Sequence, residues 1–150
     1  ASQAGVPIEI MARGVCCLRP GVAGLSETIT VRSIIGRFLE HGRIYVFANG
    51  SEFLSDKNIV MISSADLMPR NLRRRVECFM RLENPTIRKQ VLHQIMVALL
   101  RDEKNAWYFQ PDGSYVHPQT DENSFSCHEY FMSNPSLSGL GSLAATRDNG

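Results

Sequence analysis

Apolar and polar residues alternate along residues 6–16. Val6, Ile8, Ile10 and Ala12 fall on one face, and Glu9, Met11, Arg13 and Val15 on the other. This period of two predicts a half-buried strand. Residues 19–24 are turn formers, and 29–35 form a short β-branched run that predicts a second strand. That strand leads into 36–41, read as a turn or short helix. Apolar strands are expected at 44–48 and 59–63, joined by a polar loop, 49–57, that opens with Asn49-Gly50. A hairpin follows from that arrangement. Residues 75–82 alternate again, with Val76, Cys78, Met80 and Leu82 opposite Arg75, Glu77, Phe79 and Arg81, which predicts another strand.

At residue 84 the period changes. Asn84 can cap a helix whose first turn carries Pro85. Ile87, Val91, Ile95 and Leu99, reinforced by Leu92 and Met96, supply a 3.6-residue stripe to about Arg101. Residues 107–109 and 115–117 read as a small hairpin over Asp112-Gly113. From Ser133 to the end the residues are mostly Ser, Gly, Asn and Ala, and a disordered tail is expected over 133–150. Several strands with few helices give an α/β or α+β arrangement, the 85–101 helix covering a sheet face.

The chain has 150 residues, 43% hydrophobic and 21% charged, which suits one globular domain. Ala1–Gly5 reads as the end of a helix capped by Gly5, so a fragment of a longer protein is expected. The formal net charge is +1. No global field draws nucleic acid or an anionic membrane, so any anion site must come from local clustering. Cys16, Cys17, Cys78 and Cys127 fall in no CxxC or Cys/His zinc spacing. They read as reduced thiols, and no metal ligand is assigned. No leader and no membrane-length apolar run is visible, which makes the cytosol the expected compartment.

Local clustering does occur. Arg70, Arg73, Arg74, Arg75 and Arg81 include no lysine among them. Runs of charge are commonly solvated faces, but the planar guanidinium fork suits two-point contact with phosphate oxygens. His41 stands at the entrance to the 44–48 strand. It can serve there as a structural residue, or use its imidazole for proton transfer or phosphate contact. Ser63, Ser64 and Asp66 end a strand, followed by Arg70 and Asn71; such a turn can be ordinary or can bring backbone amides close to an anion. No Walker spacing exists, which disfavours a P-loop kinase.

Four segments together resemble one family. Residues 12–21, ARGVCCLRPG, resemble the RGxCxLRPG stretch of the long polyphosphate kinases. Residues 33–44, SIIGRFLEHGRI, resemble their SIxGRFLEHxRI segment. Residues 62–66 and 68–72, ISSAD and MPRNL, resemble the ISSADWMPRN signature, and Arg73-Arg74-Arg75-Val76-Glu77 continues it. Residues 1–6 fit the end of a preceding helix. The likeness runs in order over about residues 1–118. Leu67 departs from the usual Trp, and the 49–57 loop is longer than in close relatives.

The resemblance implies an α/β, phospholipase-D-like αβα sandwich with a mixed central sheet flanked by helices, over 1–132. It implies a C-terminal domain of an ATP:polyphosphate phosphotransferase, acting reversibly through a phosphohistidine on a preceding domain. Arg13, His41 and Arg75 would contact ATP or phosphate, with His41 also catalytic. Ser63, Ser64, Asp66, Arg70 and Asn71 would support them. Mg2+ would arrive with ATP, with no metal ligand from this chain. Partners would be ATP or ADP, polyphosphate, other domains of the same chain and further copies in a homo-oligomer, with no specific nucleic acid. Alone, the chain would be inactive. Two other readings are a phosphodiesterase half of the phospholipase D superfamily and a non-catalytic polyanion-binding module. The first needs HxK(x4)D, whereas Gly42-Arg43 follows His41. The second needs aromatic residues interleaved with the arginines, where only Phe79 is available.

Overall fold

The structure, a computed structural model, describes residues 1–134. It is mixed α/β, with strands divided between a four-stranded and a three-stranded sheet. Two compact units result. One comprises residues 1–40 and 101–133, and the other includes residues 41–100. The expected tail lies outside the described residues from 135 onward.

In the first unit, a 3-10 turn at Ser2–Ala4 ends on Gly5, whose φ of 77° is the left-handed cap expected there. Strand β1 (Ile8–Met11) pairs in parallel with β2 (Ile29–Ile34). The ladder ends with Ala12 N–H donating to the Arg32 carbonyl at 2.8 Å, so β1 is shorter than its alternating pattern. Arg13 therefore sits on a bend just beyond the strand, not within it. Residues 36–41 form an irregular loop, bent at 36–38, and no helix.

In the second unit, β3 (Ile44–Phe47) and β4 (Ile59–Ser63) form the expected antiparallel hairpin. Asn49 and Gly50 both adopt positive φ, at 55° and 70°, which turns the chain as the Asn-Gly pair predicts. Helix α1 (Pro69–Arg74) and strand β5 (Phe79–Arg81) follow. The strand expected over 75–82 is thus reduced to its last part. β4 ends at Ser63, opposite Phe79, and beyond it only Ser64 N–H still reaches across, to the Cys78 carbonyl at 3.1 Å, so residues 75–77 have no ladder partner. Val76 and Met80, read from the alternation as one face with Leu82, are exposed; Leu82 is buried.

The long helix begins where expected. The Asn84 side chain accepts from the N–H groups of Thr86 and Ile87. It consists of α2 (Pro85–Gln90), a π-helical stretch (Val91–Met96) and α3 (Val97–Arg101). The π turn accommodates an extra residue and rotates the inward face. Leu92, Met96, Val97, Ala98 and Leu99 are buried while Ile87 is half exposed, a shift from the simple 87-91-95-99 ladder. Leu92 packs with Val60 and Leu82 in the core of this unit, flanked by Ile44, Val46 and Ile62.

Returning to the first unit, β6 (Ala106–Phe109) pairs antiparallel with β2, and β7 (Tyr115–Val116) pairs with β6. That is the predicted small hairpin. Helix α4 (Cys127–Ser133) closes the described chain, so Ser133 is helical rather than part of a tail. No helix among the described residues is long and apolar enough to cross a membrane.

Candidate functional site: a carboxylate and arginine node at the end of β4

The end of β4 gathers most of the residues singled out in the sequence. Ser63 Oγ donates to the Cys78 carbonyl at 2.9 Å and accepts from Ala65 N–H at 2.9 Å. Ser64 Oγ accepts from Cys78 N–H at 3.0 Å and donates to Glu77 Oε2 at 2.5 Å. These hydroxyls continue the β4–β5 connection by side-chain bonds where the regular ladder stops. Asn71, buried on the first turns of α1, donates from Nδ2 to Glu77 Oε1 at 2.6 Å. Pro69 at the start of α1 places Asn71 there, because proline suits a first helical turn.

Two donors on one carboxylate stabilise its charged form. The hydrogen bonds from Ser64 and then Asn71 hold Glu77 below the usual glutamate range, with smaller help from the Arg75 and Arg43 charges. The sign of the pH effect follows. A group whose folded-state pKa is depressed contributes stability above its unfolded pKa, and loses it as pH falls through the folded value. Stability from this node is therefore expected to hold at neutral pH and to decline only below the ordinary glutamate range. Glu77→Gln should flatten that acid limb in urea titrations at successive pH values. An unchanged limb would show that Glu77 does not carry it.

Asp66 forms the second half of the node. Its Oδ1 accepts from Arg43 Nε at 3.0 Å and lies 2.9 Å from Arg43 Nη2; its Oδ2 lies 3.6 Å from Arg70 Nη2. Arg70 also donates from Nε to Asn71 Oδ1 at 3.4 Å. Arg43 and Asp66 are both largely buried, whereas Arg70 is exposed. The third nitrogen of Arg43, Nη1, donates to the His41 main-chain carbonyl at 3.2 Å. One guanidinium thus ties the His41 backbone to the turn after β4. The His41 side chain is exposed. Tyr45 Oη donates to the Ala65 carbonyl at 3.4 Å, and burial raises its pKa.

The structure therefore brings His41, Ser63, Ser64, Asp66, Arg70 and Asn71 into one connected region. Arg75 is exposed and is the C-terminal cap residue of α1 in extended backbone, not the first residue of a strand. Arg73 and Arg74 occupy the last turn of α1, where cations complement the helix dipole. Arg81 pairs with Glu83 at 3.2 Å. Arg13 belongs to the other compact unit, where it is exposed.

Two contributors carry no sequence signal of their own for the role they play. Arg43 lies two positions after His41, and Glu77 two after Arg75. Both stand in the quoted segments, but only folding shows that Arg43 clamps a main-chain carbonyl and that Glu77 collects Ser64 and Asn71.

One group among the described residues could hold a metal ion. Donor atoms of Glu40, Cys127 and His128, in the first unit, all lie within 4.8 Å of one another. His128 Nε2 and Glu40 Oε1 are instead hydrogen bonded at 2.6 Å. Burial, with the nearby Asp102 and Glu40 carboxylates, pushes the Cys127 thiol far up, which keeps it protonated and inert.

Residues 1–128 match the sequence model of the family described as polyphosphate kinase C-terminal domain 2. A polyphosphate kinase of Erythrobacter litoralis is 57% identical over 141 residues, 94% of this chain and 20% of the relative. One from Synechocystis is 50% identical over 133 residues, 87% of this chain and 17% of the relative. Among solved structures, polyphosphate kinase from Porphyromonas gingivalis superposes with a TM-score of 0.79 at 33% identity. That superposition covers 89% of this chain and 20% of the other. The chain thus spans about a fifth of the length of these relatives. The order of the signature segments, the node they build at the end of β4 and these similarities agree: the chain belongs to the polyphosphate kinase C-terminal domain family.

Proposed function

We propose that this chain is the part of an ATP:polyphosphate phosphotransferase that grips phosphate oxygens while the phosphoryl group moves through a phosphohistidine on another domain. The observation that carries this reading is the node itself. Asp66 fixes Arg43 and faces Arg70, while Glu77 is fixed by Ser64 and Asn71 beside the Arg75 charge. Phosphoryl transfer asks the protein mainly to position reactants and neutralise developing charge. A rigid scaffold of carboxylates and hydroxyls that sets guanidinium groups suits that task.

In this reading Arg13 and Arg75 contact phosphates of ATP, which enters as its Mg2+ complex. His41 assists at the transferring phosphoryl group, by hydrogen bonding or by proton transfer to the departing ADP. Polyphosphate is the second substrate. Working in the cytosol as a homo-oligomer is part of the same reading. The phosphodiesterase alternative gains nothing here, because Arg43, where that chemistry needs lysine, is engaged with Asp66 and the His41 carbonyl.

The test is a graft. Replacing the matching segment of the Erythrobacter litoralis relative with this chain should give an enzyme that makes polyphosphate from ATP. The purified 150-residue chain alone should make none. A folded graft without activity, or polymer formed by the chain alone, would sink the proposal.

A further inference from the structure

His128 has no part in the node, yet the loop that ends at His41 is built around it. The residue is 3% exposed. Its Nε2 meets Glu40 Oε1 at 2.6 Å, and since a carboxylate only accepts, Nε2 carries the hydrogen. The Phe38 ring stands edge-on to the imidazole, with centroids 5.4 Å apart. Gly36 lies against the Nδ1 edge of the ring: a Cβ there would come within 2.5 Å of His128 Nδ1 and 2.9 Å of Cε1. It would also meet Asn105 Oδ1 at 2.8 Å. Residues 36, 38 and 40 therefore contact one buried ring presented by the first turn of α4. Asp102 holds the start of that helix by accepting from Cys127 N–H at 2.7 Å, and it also accepts from Asn105 N–H and Nδ2.

We infer that His128 is a positioning residue: its imidazole is the peg about which residues 36–40 fold, and through Glu40 it sets where the chain delivers His41. His41 is joined to Glu40 by a single peptide bond, so a Glu40 main chain free to shift would carry His41 with it. Glycine is required at position 36 because any side chain would occupy the space of the ring. This inference rests on the proposed role of His41. It adds that the loop before His41 is fixed by packing and one charged hydrogen bond from α4, and not by the signature segments alone.

The test uses the grafted full-length enzyme, with activity expressed per folded protein from far-ultraviolet circular dichroism. His128→Ala is expected to lower kcat about 10-fold or more, since small misplacements of a catalytic group are costly. KM for ATP should stay within about twofold, because Arg13 and Arg75, the arginines assigned to the ATP phosphates, are untouched. His128→Gln keeps a donor for Glu40 and should retain most of kcat. Gly36→Ala should be severely impaired, and adding His128→Ala should recover part of that loss by opening room for the methyl group.

Parental kcat in His128→Ala, or independent losses in the Gly36 and His128 pair, would overturn the inference. So would stoichiometric zinc in the purified enzyme, because a metal would then hold Glu40. If His128→Ala does not fold, His128→Leu against His128→Gln decides: equal kcat values would overturn it, and a deficit confined to Leu supports it. His41→Ala measured alongside separates the two readings. An inert His41→Ala change defeats the proposed role of His41, whereas a damaging one beside a harmless His128→Ala defeats only this inference.

Discussion

His41→Ala in the grafted enzyme is expected to lower kcat for polyphosphate synthesis by about 10²-fold or more, the scale of a lost acid–base or charge-stabilising group. The protein should remain folded. The imidazole is exposed, and the His41 carbonyl that receives Arg43 Nη1 belongs to the main chain, which the substitution leaves in place. Stability should therefore change by no more than about 0.5 kcal/mol, as for surface substitutions elsewhere. Loss of kcat with an unchanged urea midpoint is the expected pair of results. Near-parental synthesis from a folded variant would remove His41 from the chemistry.

The second large effect falls on Asp66. Asp66→Ala would leave Arg43 largely buried without its carboxylate, and Arg70 without its 3.6 Å neighbour. Breaking a fully buried pair by removing one partner costs roughly 3–5 kcal/mol. Because both side chains here keep about a fifth of their exposure, water screens part of that, and about 1–3 kcal/mol is expected. Activity should suffer too, since Arg43 would be released from the turn that lets it hold the His41 carbonyl. Arg43→Lys offers the complementary result: lysine keeps the charge but cannot bond Asp66 and the carbonyl through one planar fork. Both variants should show reduced kcat, with the larger fall in urea midpoint for Asp66→Ala. An Asp66→Ala enzyme as stable and active as its parent would show that the pair is incidental.

Both predictions depend on contacts that pattern reading reaches only in part. The hairpin of β3 and β4 was legible because an Asn-Gly turn and two β-branched runs are local signals. The cap at Asn84 was legible for the same reason: its partners, Thr86 and Ile87, are two and three residues away. The strand read over 75–82 failed on a non-local fact, the end of its neighbour β4 at Ser63. Alternation describes what a strand would bury, but a strand exists only while another supplies hydrogen bonds. In the 85–101 helix, Leu92, Met96 and Leu99 are buried and Val91 packs against the core as the stripe predicts, whereas Val97 and Ala98 join the inward face after the π stretch and Ile87 stays half exposed.

By itself, the sequence determined the mixed α/β class, the order of most elements, the family, and the residue types capable of meeting phosphate. Those properties reside in local periodicity and in ordered motifs. Only the tertiary structure decided which side chains share a charge or a hydrogen bond: Arg43 with Asp66, Glu77 with Ser64 and Asn71, and His128 with Glu40 across 88 residues of chain. Such pairings form when distant segments close on one another, and short-range pattern has no means of specifying which buried partner each polar group will find.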